Sequence, residues 1–187
     1  MKTTLRLPLP TLADAVAIHA PWQRLAAMLL AAATLFAAAP APAQDVGGGA
    51  LLELASFPRS TLTIHSASSP DAHVFRIWVA ETPQQQQQGL MFVRDLPAEE
   101  GMLFVERQSR VWGMWMKNTF IPLDMLFIDS RGRVAAIFER TVPHSLQTLS
   151  SPKPVKAVLE LRGGETARRG IRVGDRVDHP AFRGKGG

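Results

Sequence analysis

The 187 residues contain no cysteine. Disulfides, a thiol nucleophile and thiolate metal sites are therefore excluded, and stability must come from a buried core. No zinc motif is visible either, because His65, His73, His144 and His179 show neither an i,i+4 pair nor an H-x-H spacing. There is no G-x-S-x-G elbow, and Ser145 beside His144 lacks an orienting partner, so nucleophilic catalysis has no support. The glycines at Gly163-Gly164 and Gly170 lack the flanks of a phosphate loop or a dinucleotide fingerprint. After the first 43 residues no long amphipathic helix pattern appears.

What is present begins with a targeting pattern. Lys2, Arg6 and Arg24 flank an apolar run over residues 25–39, broken only by Thr34, and Ala41-Pro42-Ala43 fits small-x-small cleavage. Fifteen residues fall short of the roughly 20 that a membrane span needs. The expectation is a signal peptide over residues 1–43 and a mature chain of 144 residues outside the cytoplasm, periplasmic or secreted. An uncleaved anchor would be its one tie to a membrane. No cysteine follows the apolar run to carry a lipid. Without the leader the chain has 18 basic and 15 acidic residues, net +3. The arginines near the C-terminus, from Arg162 to Arg183, read as a solvated basic face, and no nucleic-acid partner is expected.

Residues 44–59, with Gly47-Gly48-Gly49, read as a flexible leader, residues 60–180 as one domain, and 181–187 as a disordered tail. Within the domain, residues 61–64 and 73–80 alternate as strands. Thr82 and Pro83 open a short helix that Gly89 ends, so the glutamines of 84–88 read as a solvated helical turn. Strand signals follow at 102–105, 111–116 and 123–129, and Ser130-Arg131-Gly132 turns into 133–140. Residues 155–161 alternate, with Val155, Ala157, Leu159 and Leu161 on one face and Lys156, Val158 and Glu160 on the other. A brief helix after Gly163-Gly164 ends at Gly170, and Arg176-Val177 closes the domain. The expected fold is mainly β, a compact sandwich-like or barrel-like single domain with one or two short helices.

The chemistry concentrates in residues 112–124. Alternation over 111–118 puts Trp112, Met114, Met116 and Asn118 on one face and Val111, Gly113, Trp115 and Lys117 on the other, with the Lys117 stem along the Trp115 ring. Asn118-Thr119 turns the chain, and Pro122 holds Ile121 extended, which leads Asp124 into the next strand. Lys117, Asn118 and Asp124 are thereby expected near one end of the sheet. One reading is a ligand cleft with Trp115 as an aromatic floor and Lys117, Asn118 and Asp124 as its rim. The other is a structural clasp in which Lys117 pairs with Asp124 and Asn118 makes an Asx-turn. Met114 and Met116 suit copper(I), although methionine is more often core filler. Asp124, Glu160 and His144 are the candidates for acid–base chemistry, with Glu160 expected to bind an arginine or a backbone amide.

Several ordered segments resemble one family. They are Gly89-Leu90-Met91, Gly101-Met102-Leu103-Phe104, Trp115-Met116-Lys117-Asn118-Thr119 and Ile121-Pro122-Leu123-Asp124, followed by Phe127-Ile128-Asp129, Val158-Leu159-Glu160-Leu161 and the stretch from Gly170 to Val177. Together they closely resemble the domain of unknown function family DUF192, small bacterial and archaeal proteins often found behind a signal peptide. The resemblance runs from about residue 62 to 177 and implies a mainly β fold with no established activity. The chain departs in its glutamine run, where charged helix residues are more usual, and in Gly113-Met114. The functional expectation is a non-enzymatic binding or accessory module of the cell envelope, without a cofactor or metal, recognising a small polar or glycan-like ligand. The alternatives are a hydrolase- or lyase-type enzyme using Asp124, Glu160 or His144, and a copper(I) protein using Met114 and Met116. The oligomeric state is left open.

Overall fold

Alternating burial builds the first hairpin. In the computed structural model, which describes residues 51–183 of a unit spanning Gly49–Gly187, β1 (Arg59–His65) pairs antiparallel with β2 (Ala72–Ala80). Leu62 and Ile64 on β1 and Phe75, Ile77 and Val79 on β2 are buried, while the residues between them turn to the other face of the sheet. The signal segment and its cleavage site lie outside the described residues.

A crossover with helix α1 (Pro83–Gln88) carries the chain to β3 (Glu100–Arg110), which runs parallel to β2. The helix starts as expected, at a reciprocal cap. The Gln85 backbone N–H donates to Thr82 Oγ1 at 3.2 Å, and the Thr82 N–H donates to Gln85 Oε1 at 3.1 Å. Gly89, at φ +50°, ends it. The glutamines are not merely solvated, however. Gln86 Nε2 donates to the carbonyls of Ala80 and Val105, tying the helix to β2 and β3. Gln88 brackets the Leu52 backbone, accepting its N–H at 2.6 Å and donating to its carbonyl at 2.7 Å. The leader expected to be flexible is therefore held from Leu52 onward, with a 3-10 turn over Leu54–Ser56 and Phe57 in the core.

The remaining strands are β4 (Gly113–Met114), β5 (Leu123–Ile128), β6 (Val134–Phe138), β7 (Leu149–Ser150), β8 (Val155–Arg162) and β9 (Arg176–Asp178). Helix α2 (Glu165–Arg169) precedes β9. Seven strands form one sheet in the order β6-β5-β8-β3-β2-β1-β9, and β4 pairs with β7 separately. The large sheet curls until its edges meet, where Val134 N–H donates to Asp175 O, Gly174 N–H to Val134 O and Val177 N–H to Gly132 O. The fold is mainly β, as expected, with a strongly curled sheet and two short helices among the described residues. A 3-10 turn over Pro180–Phe182 packs Phe182 against the core, so the tail expected from residue 181 is ordered to that point.

Both faces of the sheet are buried. Leu62, Ile64, Phe75, Leu103, Leu126 and Leu159 fill the concave side. Met102, Phe104, Met125, Phe127 and Val158 lie on the other side, covered by Leu90, Leu96, Trp112, Met114 and Met116. Val155 joins this second cluster, not the face it shares with Ala157 by simple alternation, at the end of β8 where the β3–β8 ladder shifts register between Val105 and Arg110. Each cluster holds fourteen buried apolar residues, and burial at roughly 1.5–3 kcal/mol for each large side chain supplies the stability that disulfides cannot.

Candidate functional site

The expected strand over 111–116 is a strand only at Gly113–Met114, yet its alternation persists. Trp112, Met114 and Met116 are buried, and Val111, Trp115 and Lys117 are exposed. At Asn118 the backbone turns through a left-handed conformation, φ +57°, which asparagine tolerates better than most residues. This arm, helix α1, the Gly89-Leu90-Met91 corner and the outer face of β3 and β8 enclose a cleft of about 300 Å3. Phe104, Trp112 and Met114 wall it, Trp115 and Lys117 stand at its mouth, and Glu160 lies at its floor.

The polar groups of the cleft differ sharply. Lys117 Nζ sits 5.6 Å from the centre of the Trp115 ring and makes no ion pair among the described residues. Arg110 lies over Trp112 at 4.7 Å, and its charge is met by Glu106 at 2.6 Å. Glu160 is 4% exposed as a residue; its carboxyl makes no hydrogen bond among the described residues, and its oxygens open onto the cleft, since no fully buried side-chain oxygen there lacks a partner. The arginine or backbone amide expected for it is missing because its cross-strand neighbours are Met102 on β3 and Met125 on β5, both fully buried and neither a donor. Burial pushes the Glu160 carboxyl up to about 8. A carboxyl so perturbed in a cleft is a functional-site signature.

Asp124 is placed quite differently. It is fully buried, and Oδ1 accepts from the backbone N–H groups of Arg140 at 2.8 Å and Gly164 at 2.9 Å. Oδ2 accepts from the N–H and the hydroxyl of Thr166, at 2.9 and 2.7 Å. The carboxylate thus clasps the loop after β6 and the start of α2 to β5. Its partners leave no place for Lys117, so the expected Lys117–Asp124 pair does not form. Nor does Asp124 pair with Glu160: Asp124 is opposite Leu161 and Glu160 is opposite Met125, which puts the two carboxyls on opposite faces of the sheet.

Of the four residues expected in the site, Trp115 and Lys117 line the cleft. Asn118 shapes it from behind, its carbonyl accepting the Phe92 N–H at 2.9 Å and its amide facing Met91 Sδ at 3.9 Å. Asp124 is part of the scaffold. His144 belongs to a neighbouring loop, its ring 5.2 Å from that of Phe120. Met114 lines the cleft, but Met116 is buried against Thr141, whose hydroxyl donates to Met116 Sδ at 3.0 Å, and it borders a different hollow. The two methionines thus border different hollows, whereas copper(I) at Met114 and Met116 needs both at one. The residue undervalued by sequence reasoning is Glu160. Its signal was the placing of a carboxylate beside Val158 on a face that both neighbouring strands bury.

The family model of DUF192, described as "Uncharacterized ACR", matches residues 64–179. The chain belongs to the DUF192 family. Two solved structures are similar to this DUF192 chain. One is a protein described as a putative transcription regulator from Sinorhizobium meliloti 1021, 40% identical, with 67% of this chain and 97% of that one covered and a TM-score of 0.66. The other is a protein of unknown function from Novosphingobium aromaticivorans DSM 12444, 35% identical, covering 71% of this chain and all of that one, with a TM-score of 0.61. No curated protein matches the chain.

Proposed function

We propose that this protein is an exported, non-enzymatic binding or accessory module of the cell envelope, and that the cleft between Trp115, Lys117 and Glu160 holds a small polar or glycan-like ligand. The observation that carries the reading is the Glu160 carboxyl, which opens onto the floor of the cleft and has no protein hydrogen-bond partner among the described residues. A carboxyl in that position costs stability, and a ligand that hydrogen-bonds to it recovers the cost. An exposed tryptophan at the mouth adds a flat apolar surface on which a ring can stack. Binding is favoured over catalysis because Asp124 is consumed by four hydrogen bonds on the face of the sheet opposite Glu160, and the His144 ring lies tilted against Phe120.

A thermal-shift panel of small polar and glycan-like envelope compounds tests this reading on the wild type and on Trp115→Ala and Lys117→Ala. Stabilisation of the wild type that both variants lose, with no turnover, supports it. Product formation that Glu160→Gln abolishes would make the protein an enzyme instead. Export is tested separately: N-terminal sequencing of the native protein should begin near Gln44, and recovery of Met1 in the cytosol would overturn it.

A further inference from the structure

We infer that the cleft selects a small zwitterion, whose ammonium group enters first to pair with Glu160 and whose acidic group remains at the mouth beside Lys117. The inference rests on the cleft being a binding site, as proposed above, and names the ligand class. Three observations carry it. First, Glu160 is a largely buried residue whose carboxyl opens onto the cleft and meets no donor from the protein, so its donors come from what occupies the cleft. An ammonium brings three of them, together with the opposite charge.

Second, the walls suit a cation better than an anion or a bare hydroxyl. Phe104 and Trp112 supply aromatic surface, and Met91 and Met114 supply polarisable thioethers. Third, the mouth is positive. Of the two cations that line the cleft, Arg110 is matched by Glu106, whereas Lys117 has no carboxylate partner among the described residues. A simple amine would meet Lys117 as a like charge, and a simple acid would bring no cation to the Glu160 carboxyl. A molecule bearing both charges satisfies both ends. The volume, about 300 Å3, is at the small end of ligand sites, which suits an amino acid or a compound of similar size.

Burial holds the empty Glu160 largely protonated at pH 7, so pairing with an ammonium must expel that proton. The other charged side chains around the cleft are Arg110 with Glu106, and Lys117.

The test is calorimetry with ω-amino acids of two to six carbons, set against propylammonium, butyrate and N-acetylated forms of the same amino acids. Buffers of different ionisation enthalpy report the protons released, and amide and indole NMR shifts report where each probe binds. The expected result is that at least one ω-amino acid binds at Trp115 and Lys117, at least tenfold more tightly than its N-acetylated form. About one proton should leave per ligand between pH 6 and 7, and Glu160→Gln should weaken binding tenfold or more. Proton release by the wild type decides the question should Glu160→Gln fail to fold. If N-acetylated or purely acidic probes bind the cleft equally well, or binding releases no proton, the zwitterion inference is overturned and the cleft reading stands. If no probe shifts the cleft signals, both fall.

Discussion

Replacing Glu160 with glutamine removes the proton without changing the shape, and its effect on stability follows from linkage. The carboxyl has an ordinary value of 4.5 and is pushed up to about 8 in the folded protein by burial. The folded state therefore holds a proton that the unfolded state releases between those values. The stabilisation is fully present below pH 4.5, declines as pH rises and is gone above about 8. A shift of that size corresponds to roughly 5 kcal/mol, falling by at most about 1.4 kcal/mol per pH unit. His179 works in the opposite direction over part of the same range. Burial lowers its pKa, so its neutral form contributes stability above its ordinary value of 6.5 that is lost as pH falls. The difference between wild type and Glu160→Gln cancels that contribution. Urea unfolding from pH 5 to 9 should show wild type losing several kcal/mol relative to the variant as pH rises, with Glu160→Gln the less pH-sensitive of the two. Parallel curves would refute the claim that burial holds this carboxyl above its ordinary value.

Three further outcomes follow from the geometry. Asp124→Ala removes the carboxylate that accepts four hydrogen bonds, two of them buried and two part-buried, and should cost about 3–5 kcal/mol in chemical denaturation; a loss under about 1 kcal/mol would contradict the clasp. Lys117→Met should change the unfolding free energy by no more than about 0.5 kcal/mol, since Lys117 lies over Trp115 and carries no ion pair among the described residues, and a cost of several kcal/mol would show a structural partner. Gln88→Ala should free the Leu52 backbone, raising hydrogen exchange at that amide and costing about 1–2 kcal/mol; unchanged protection would mean the bracket is dispensable.

Much of the scaffold was legible because local rules decided it. Thr82, Gln85 and Pro83 specify the start of α1 by themselves, and the left-handed turn at Asn118 falls where a short polar side chain makes it affordable. The alternation of Trp112, Met114 and Met116 against Trp115 and Lys117 survives even though only Gly113 and Met114 pair as a strand, because burial of the tryptophan and methionines sets the period. The pairing of Lys117 with Asp124 could not be read the same way. Both lie in one motif, but the partners of Asp124 come from Arg140, Gly164 and Thr166, which are distant in sequence and brought in by the order of β5, β6 and β8. Glu160 shows the same limit in reverse. Its face was legible, whereas the absence of a donor depends on Met102 and Met125 being its neighbours across two ladders.

The central claim is that the Trp115–Lys117–Glu160 cleft is where this protein meets its ligand. The most direct measurement is an NMR map of the labelled chain against small polar compounds, read at the Trp115 indole, the Lys117 and Thr119 amides and the Glu160 side-chain carboxyl carbon. The account predicts that a binding compound moves all four together and shifts the Glu160 titration away from 8. Shifts confined to the hollow beside Met116 and Arg140, or a Glu160 titration that no compound disturbs, would contradict it.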